Sequence, residues 1–189
     1  MAYAYQYSDT AQIAAPDLYE PLVKAVSQYA FPLLPLSCIK IGWQNRTSLP
    51  PRTNEYCLVS VLDRFRIGTN ERSYVQPKAT TEGAAGTMSE KTLWRAQVQV
   101  SFFSSHYLAE QRAESFKTFL RGFLGGSFFR QYGIGAGYCD DVRVMDFEDG
   151  SKMQLQHAML YVHLQYWSGL TASVPFSGET LGVNLRPLF

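Results

Sequence analysis

Residues 92–123, TLWRAQVQVSFFSSHYLAEQRAESFKTFLRGF, change their hydrophobic period halfway along, and that change decides the fold class. Up to Phe102 the period is two. Thr92, Trp94, Ala96, Val98, Val100 and Phe102 fall on one side of an extended chain, with Arg95, Gln97, Gln99 and Ser101 on the other. That pattern is a half-buried antiparallel strand. Beyond Ser104 and Ser105, either of which can cap a helix, the period lengthens. Ala109, Ala113, Phe116, Leu120 and Phe123 form an inner stripe, with Glu110, Glu114, Lys117 and Arg121 outside. A strand feeding a helix, each with one apolar face, predicts a helix lying on a sheet.

Upstream, Pro21 suits a first helical turn, and Leu22, Val26 and Tyr29 recur at helical spacing to about Phe31. Pro32 and Pro35 stop this helix, and Cys38–Trp43 reads as a short strand. The run Glu55 to Ile67 reads as a long strand ending at Gly68-Thr69-Asn70, with Arg72–Val75 starting its return partner. Residues 76–90 are small, polar and glycine-bearing, and are expected to be a projecting loop. Downstream, Gly125-Gly126 should end the second helix, and a short helical turn is expected around Phe128 to Tyr132. Asp149-Gly150 is a hairpin signal preceding a long strand from Met153 to Trp167, both of whose faces carry apolar or aromatic groups. From Gly169 a nearly uncharged tail places Leu181, Val183, Leu185 and Phe189 on one parity, as in an edge strand. The sum is one α+β domain over residues 1–189: a mostly antiparallel sheet packed on one face by two α-helices, with a long projecting loop and a C-terminal docking tail from residue 169.

Composition narrows the function. The 189 residues are 46% apolar and only 17% charged, against about 25% in typical soluble chains. A net charge of +1 gives no global attraction to nucleic acid or anionic membrane. The start MAYAYQYSDT lacks a signal-peptide pattern, and the most apolar segment, Ala30 to Leu36, falls far short of the ~20 residues that span a bilayer, so no membrane association is expected. Cys38, Cys57 and Cys139 are odd in number and widely spaced, which suggests neither a disulfide framework nor a zinc knuckle.

Catalytic chemistry finds little to stand on. Gly133 to Gly137 (GIGAG) resembles a phosphate loop only superficially, since the strand and helix around it come in the wrong order, and a plain turn is expected. Asp140, Asp141, Asp146, Glu148 and Asp149 cluster in sequence without the spacing of a calcium loop. His106 is expected in a helix's first turn. His157 and His163 share a strand face but stand too far apart for one ion. No catalytic residue, metal or cofactor is called for, and a small nucleotide-binding enzyme built on the glycines is the rival from another class.

One charge asymmetry remains. Residues 37–78 carry seven Lys or Arg (Lys40, Arg46, Arg52, Arg64, Arg66, Arg72, Lys78) against Glu55, Asp63 and Glu71, while residues 138–149 carry five acids against Arg143 alone. Opposite patches of this kind suit a head-to-tail contact between copies, the geometry that closes rings.

Tyr56-Cys57-Leu58-Val59-Ser60-Val61-Leu62 with Arg66-Ile67-Gly68, the strand Ala96 to Phe103 running into a helix, Gly137-Tyr138-Cys139-Asp140-Asp141-Val142-Arg143, and Leu160 to Tyr166 together resemble the neck terminator proteins of long-tailed bacteriophages. The resemblance covers the chain from about Arg52 onward. It implies a virion structural protein and not an enzyme: a ring, commonly of six subunits, that caps the tail tube and joins it to the head connector. The implied partners are further copies of the chain, the tail tube protein, a sheath where the tail contracts, and a head-completion protein. DNA passes through the lumen of such a ring. Candidate interface residues are Arg52, Arg64, Arg66, Asp140, Asp141, Leu181, Val183, Leu185 and Phe189. The insertion at residues 76–90 and the proline-rich stretch at 32–51 depart from the family, so contacts made there are not inherited. A head–tail adaptor or baseplate-side ring is the nearest alternative.

Overall fold

The computed structural model describes residues 10–42, 55–76, 85–148 and 154–175. Arg52, Leu181, Val183, Leu185, Phe189 and the Asp149-Gly150 turn lie outside them. The elements are β1 (Thr10–Ile13), α1 (Tyr19–Tyr29), β2 (Ile39–Ile41), β3 (Tyr56–Val75), β4 (Ala85–Ser104), α2 (Ala109–Arg121), α3 (Phe123–Arg130), β5 (Ile134–Cys139), β6 (Arg143–Glu148) and β7 (Gln154–Pro175). The sheet runs β1-β7-β4-β3-β2, with β5 and β6 also paired to β7. Among the described strands β2 joins in parallel, as Ile39 to Ile41 against Cys57 to Val59, while β1, β5 and β6 pair antiparallel with β7. The fold is therefore α+β, with a large antiparallel sheet packed by helices.

The chain divides into two compact units. In the larger, Ala15–Gly68 with Leu93–Trp167, alternation on the strands builds the core. Ala96, Val98, Val100 and Phe102 of β4 and Ala158, Leu160, Val162 and Leu164 of β7 are buried on one face. Leu22, Ala25 and Val26 of α1, and Ala113, Phe116 and Leu120 of α2, close over them. Phe102 meets Phe116 edge-on at 6.3 Å between ring centres. Each such fully buried ring contributes about 1.5–3 kcal/mol. In the smaller unit, Asn70 bonds Thr92 and Glu90, and the Ser73 and Ser89 hydroxyls stand 3.3 Å apart. These pairs run in opposite directions along the two strands, so β3 and β4 form one antiparallel hairpin.

Five expectations change. β3 does not end at Gly68-Thr69-Asn70: Gly68 takes φ +80° within the strand, and Asn70 spends its side chain on β4 rather than on a turn. Likewise β4 begins at Ala85, so 85–90 is strand and not loop, and β7 continues through 169–175, where it pairs with β1. Among the described residues the α-helices number three. α2 stops at Arg121 because Gly122 is extended (φ −87°, ψ 168°), and Gly125-Gly126 lies inside α3. That break swings Phe123 off the inner stripe and leaves it 87% exposed. Finally, Gly133 to Gly137 is chiefly strand. After a turn at Gly133 (φ +71°), β5 pairs with β7 across an irregularity between Ala136 and Tyr138. A Cβ on Gly137 would come within 2.6 Å of the His163 carbonyl oxygen, so close strand approach is the reason for the glycine.

The approach to α2 is also built differently from a local serine cap. The Ser104 hydroxyl oxygen accepts the amides of His106 and Leu108 (3.0 and 3.2 Å), so His106 lies in the turn before the helix. The helix's own first amides, Ala109 and Glu110, donate to Gln156 Oε1 of β7 at 3.1 and 3.4 Å. Beside this joint, Arg112 of α2 is 3% exposed; it is paired with Glu55 and donates from Nε to the Pro32 carbonyl at 2.9 Å. Ser104 donates to the second Glu55 oxygen at 2.9 Å. Burial raises the Glu55 carboxyl, but the bonds from Arg112 and Ser104 outweigh it and hold it below its ordinary 4.5.

Glu55→Gln should therefore destabilise the protein by about 3 kcal/mol, read as a lower urea midpoint, because Arg112 is left buried without its counter-charge. With the folded carboxyl depressed, this stabilisation is complete above the ordinary carboxylate range and is lost as pH falls through the depressed value. The gap between wild type and variant should accordingly close in acid.

Candidate assembly surface

On the sheet face of the larger unit opposite the helices, the side chains are aromatic and amide-rich. Tyr56 of β3 stacks on Phe103 of β4 at 4.5 Å, and Phe103 stacks on His157 of β7 at 4.4 Å. A second row crosses the same face. The Arg95 guanidinium lies 5.7 Å from the Phe65 ring and 5.8 Å from the Tyr138 ring, and Tyr138 stacks on His163 at 4.1 Å. On β4 and β7 strand pleating accounts for this, since Arg95, Phe103, His157 and His163 alternate with the buried Ala96, Phe102, Ala158 and Val162.

Electrostatics on this face do not favour acid–base or nucleophilic catalysis. Burial lowers the His163 imidazole below 6.5, with Arg95 adding and Asp140, 3.8 Å away, opposing. Burial also lowers His157. The Cys57 and Cys139 thiols are both pushed up by burial, which disfavours the reactive thiolate. Among the described residues no group of His, Cys, Asp or Glu is arranged to hold a metal ion. The open grooves are shallow. One of about 460 Å³ is walled partly by Leu33, Leu34, Pro35 and Leu108, and another of about 410 Å³ lies along Val61 to Arg64 with Tyr19.

The four candidate interface residues that are described, Arg64, Arg66, Asp140 and Asp141, fall on opposite sides of the sheet. Arg64 and Arg66 are exposed on β3 and alternate with Phe65; Arg66 Nε donates to the Gly68 carbonyl at 3.0 Å. Asp140 and Asp141 follow β5. Asp141 is engaged by its own subunit: Lys117 and Arg121 each approach it at 3.2 Å and hold its carboxyl below the ordinary range, Lys117 foremost. Among the described side chains, Asp140 and Asp141 are thus engaged by His163, Lys117 and Arg121 and not by Arg64 or Arg66. Sequence reading missed Glu55, Arg112 and Gln156, because a polar residue on a buried face looks the same in sequence as one on a solvated face. The signal available was Arg112 itself, one residue before Ala113 on a stripe otherwise apolar.

Large apolar groups stay exposed: Phe31, Leu33 and Leu36 after α1, Phe123 and Leu124 at the α2–α3 junction, and Tyr138, Met145 and Trp167 on the strands. A surface of this kind, poor in charge and without a catalytic constellation, suits a subunit covered by neighbours. No curated protein sequence matches the chain. The family described as phage neck terminator protein matches residues 20–183, which is most of the chain. The chain accordingly belongs to the phage neck terminator family, and its role is that of a virion structural protein, ring-forming and joining tail to neck, rather than that of an enzyme.

Proposed function

We propose that six copies of this chain form a ring seated on the end of the tail tube, where it stops tube growth and offers a docking surface to the head-completion protein. The family match over residues 20–183 carries this reading. The exposed apolar groups, among them Phe31, Leu33, Phe123 and Trp167, support it, since they need a neighbour to leave water. Arg52, Arg64 and Arg66 meet the acidic margin that includes Asp140 and Asp141 on the next copy. Leu181, Val183, Leu185 and Phe189 supply a strand that docks on the tube or a neighbour. DNA passes through the lumen without sequence-specific contacts. Assembly takes place in the host cytoplasm, and the finished ring resides at the head–tail junction of the virion, with the tube protein below and, in a contractile tail, the sheath around it.

Negative-stain electron microscopy of the purified protein with its cognate tail tubes should show rings on one end of each tube. A monomer that ignores both ends would remove the terminator role. Truncation after Gly178 tests the docking strand separately: tails lacking it should fail to join heads, and normal joining would show that the segment has no docking role.

A further inference from the structure

The two lateral margins of the sheet are different strands, and each has an open edge. On one side β2 covers β3 only from Cys57 to Val59, with Gly42 adding a last amide bond to the Val59 carbonyl at 2.9 Å. From Ser60 to Ile67 the outer edge of β3 has no strand partner among the described residues. Local groups occupy part of it: the Arg64 amide donates to the carboxylate of its neighbour Asp63 at 2.7 Å. On the other side β6 pairs through Arg143 to Glu148 with β7 and has no strand beyond it among the described residues. An open edge is a template for another strand.

Charge selects which strand. β3 brings Arg64 and Arg66 to its open stretch, while β6 contains Asp146 and Glu148, again alternate residues on one strand. Antiparallel pairing of the two edges sets Arg64 and Arg66 opposite Glu148 and Asp146. Asp140 and Asp141 are already turned toward His163, Lys117 and Arg121 of their own subunit. The acids of β6 are thus the better partners for a neighbouring β3. Both strands belong to the larger compact unit. Because the edges differ, the contact is head-to-tail and propagates around a ring rather than closing a two-fold dimer.

We infer that the ring closes by β-augmentation: the β6 edge of one copy pairs with the β3 edge, Ser60 to Ile67, of the next, so that the sheets of neighbouring subunits join. This rests on the ring reading above and names the surface that makes the ring.

Disulfide trapping tests it. Arg64→Cys or Arg66→Cys is combined in one chain with Asp146→Cys or Glu148→Cys, giving four double variants that are oxidised on tube ends. Within one subunit β4 and β7 separate these strands by three spacings, about 14 Å. A disulfide needs Cα atoms within about 7 Å, so a bond can form only between copies. At least one double variant should give a ladder of linked subunits in denaturing gels, while the single variants and the native chain under the same oxidation give none. Rings visible by electron microscopy with no ladder in any of the four would overturn the edge pairing and leave the ring intact. Absence of rings from the native protein would overturn both. As a second measurement, Arg64→Glu with Arg66→Glu should abolish rings, and adding Asp146→Lys with Glu148→Lys should restore them; failure to restore counts against the pairing.

Discussion

The buried pairing of Arg112 with Glu55 is the constraint on which the larger unit depends. It ties three distant parts of the chain: α2 through Arg112, the start of β3 through Glu55, and the segment after α1 through the Pro32 carbonyl. Ser104 extends it to the end of β4. Stripping water from two charges is costly, and an apolar replacement of both would be close to neutral, so the pair adds little net stability. Its effect is geometric. An arginine held 3% exposed has few places to go, and wherever its carboxylate partner stands the helix must stand too. Gln156 completes the joint by receiving the first amides of α2 from β7, so both long strands of the core hold the same helix end.

With the helix end anchored, the layers follow. Phe102, Phe116, Leu160 and Leu164 fill the space between sheet and helices, and Tyr29 stacks on Phe119 at 3.9 Å to seat α1 beside α2. All three helices contribute buried residues to the same core, which leaves the opposite sheet face to aromatic rows and amides. A subunit organised this way has an apolar core under its helices and an aromatic, amide-bearing face on the other side of the sheet. That arrangement suits a protein whose work is to be part of a ring: it offers shape, strand edges and stacked rings, and it places His157, His163, Cys57 and Cys139 where burial suppresses their reactivity.

Much of the fold was legible in the sequence. The period-two pattern of residues 92–102 is strand β4, and the stripe of Ala109, Ala113, Phe116 and Leu120 is the buried face of α2. α1 and the long final strand also appear where their periodicity places them. Periodicity reports which side of an element is dry, and that is a local property. What it misread were punctuation marks. Gly68 is left-handed within a strand, Gly125 sits inside a helix, and Gly137 permits strand contact, yet each looks like a turn when only its neighbours in sequence are known.

The sequence by itself determined the α+β class, the identity of the main core residues, the net charge of +1, and the family to which the chain is similar. These depend on residue type and spacing alone. Only the tertiary structure decided that Arg112 is buried on Glu55, that Asp141 is used inside its own subunit, that α2 is capped from β7, and that, among the described residues, β3 beyond Val59 and β6 carry no further strand on their outer sides. Each of these joins residues far apart in sequence. Whether a charge is solvated, buried or free for a neighbour is set by what the fold brings within a few ångströms of it.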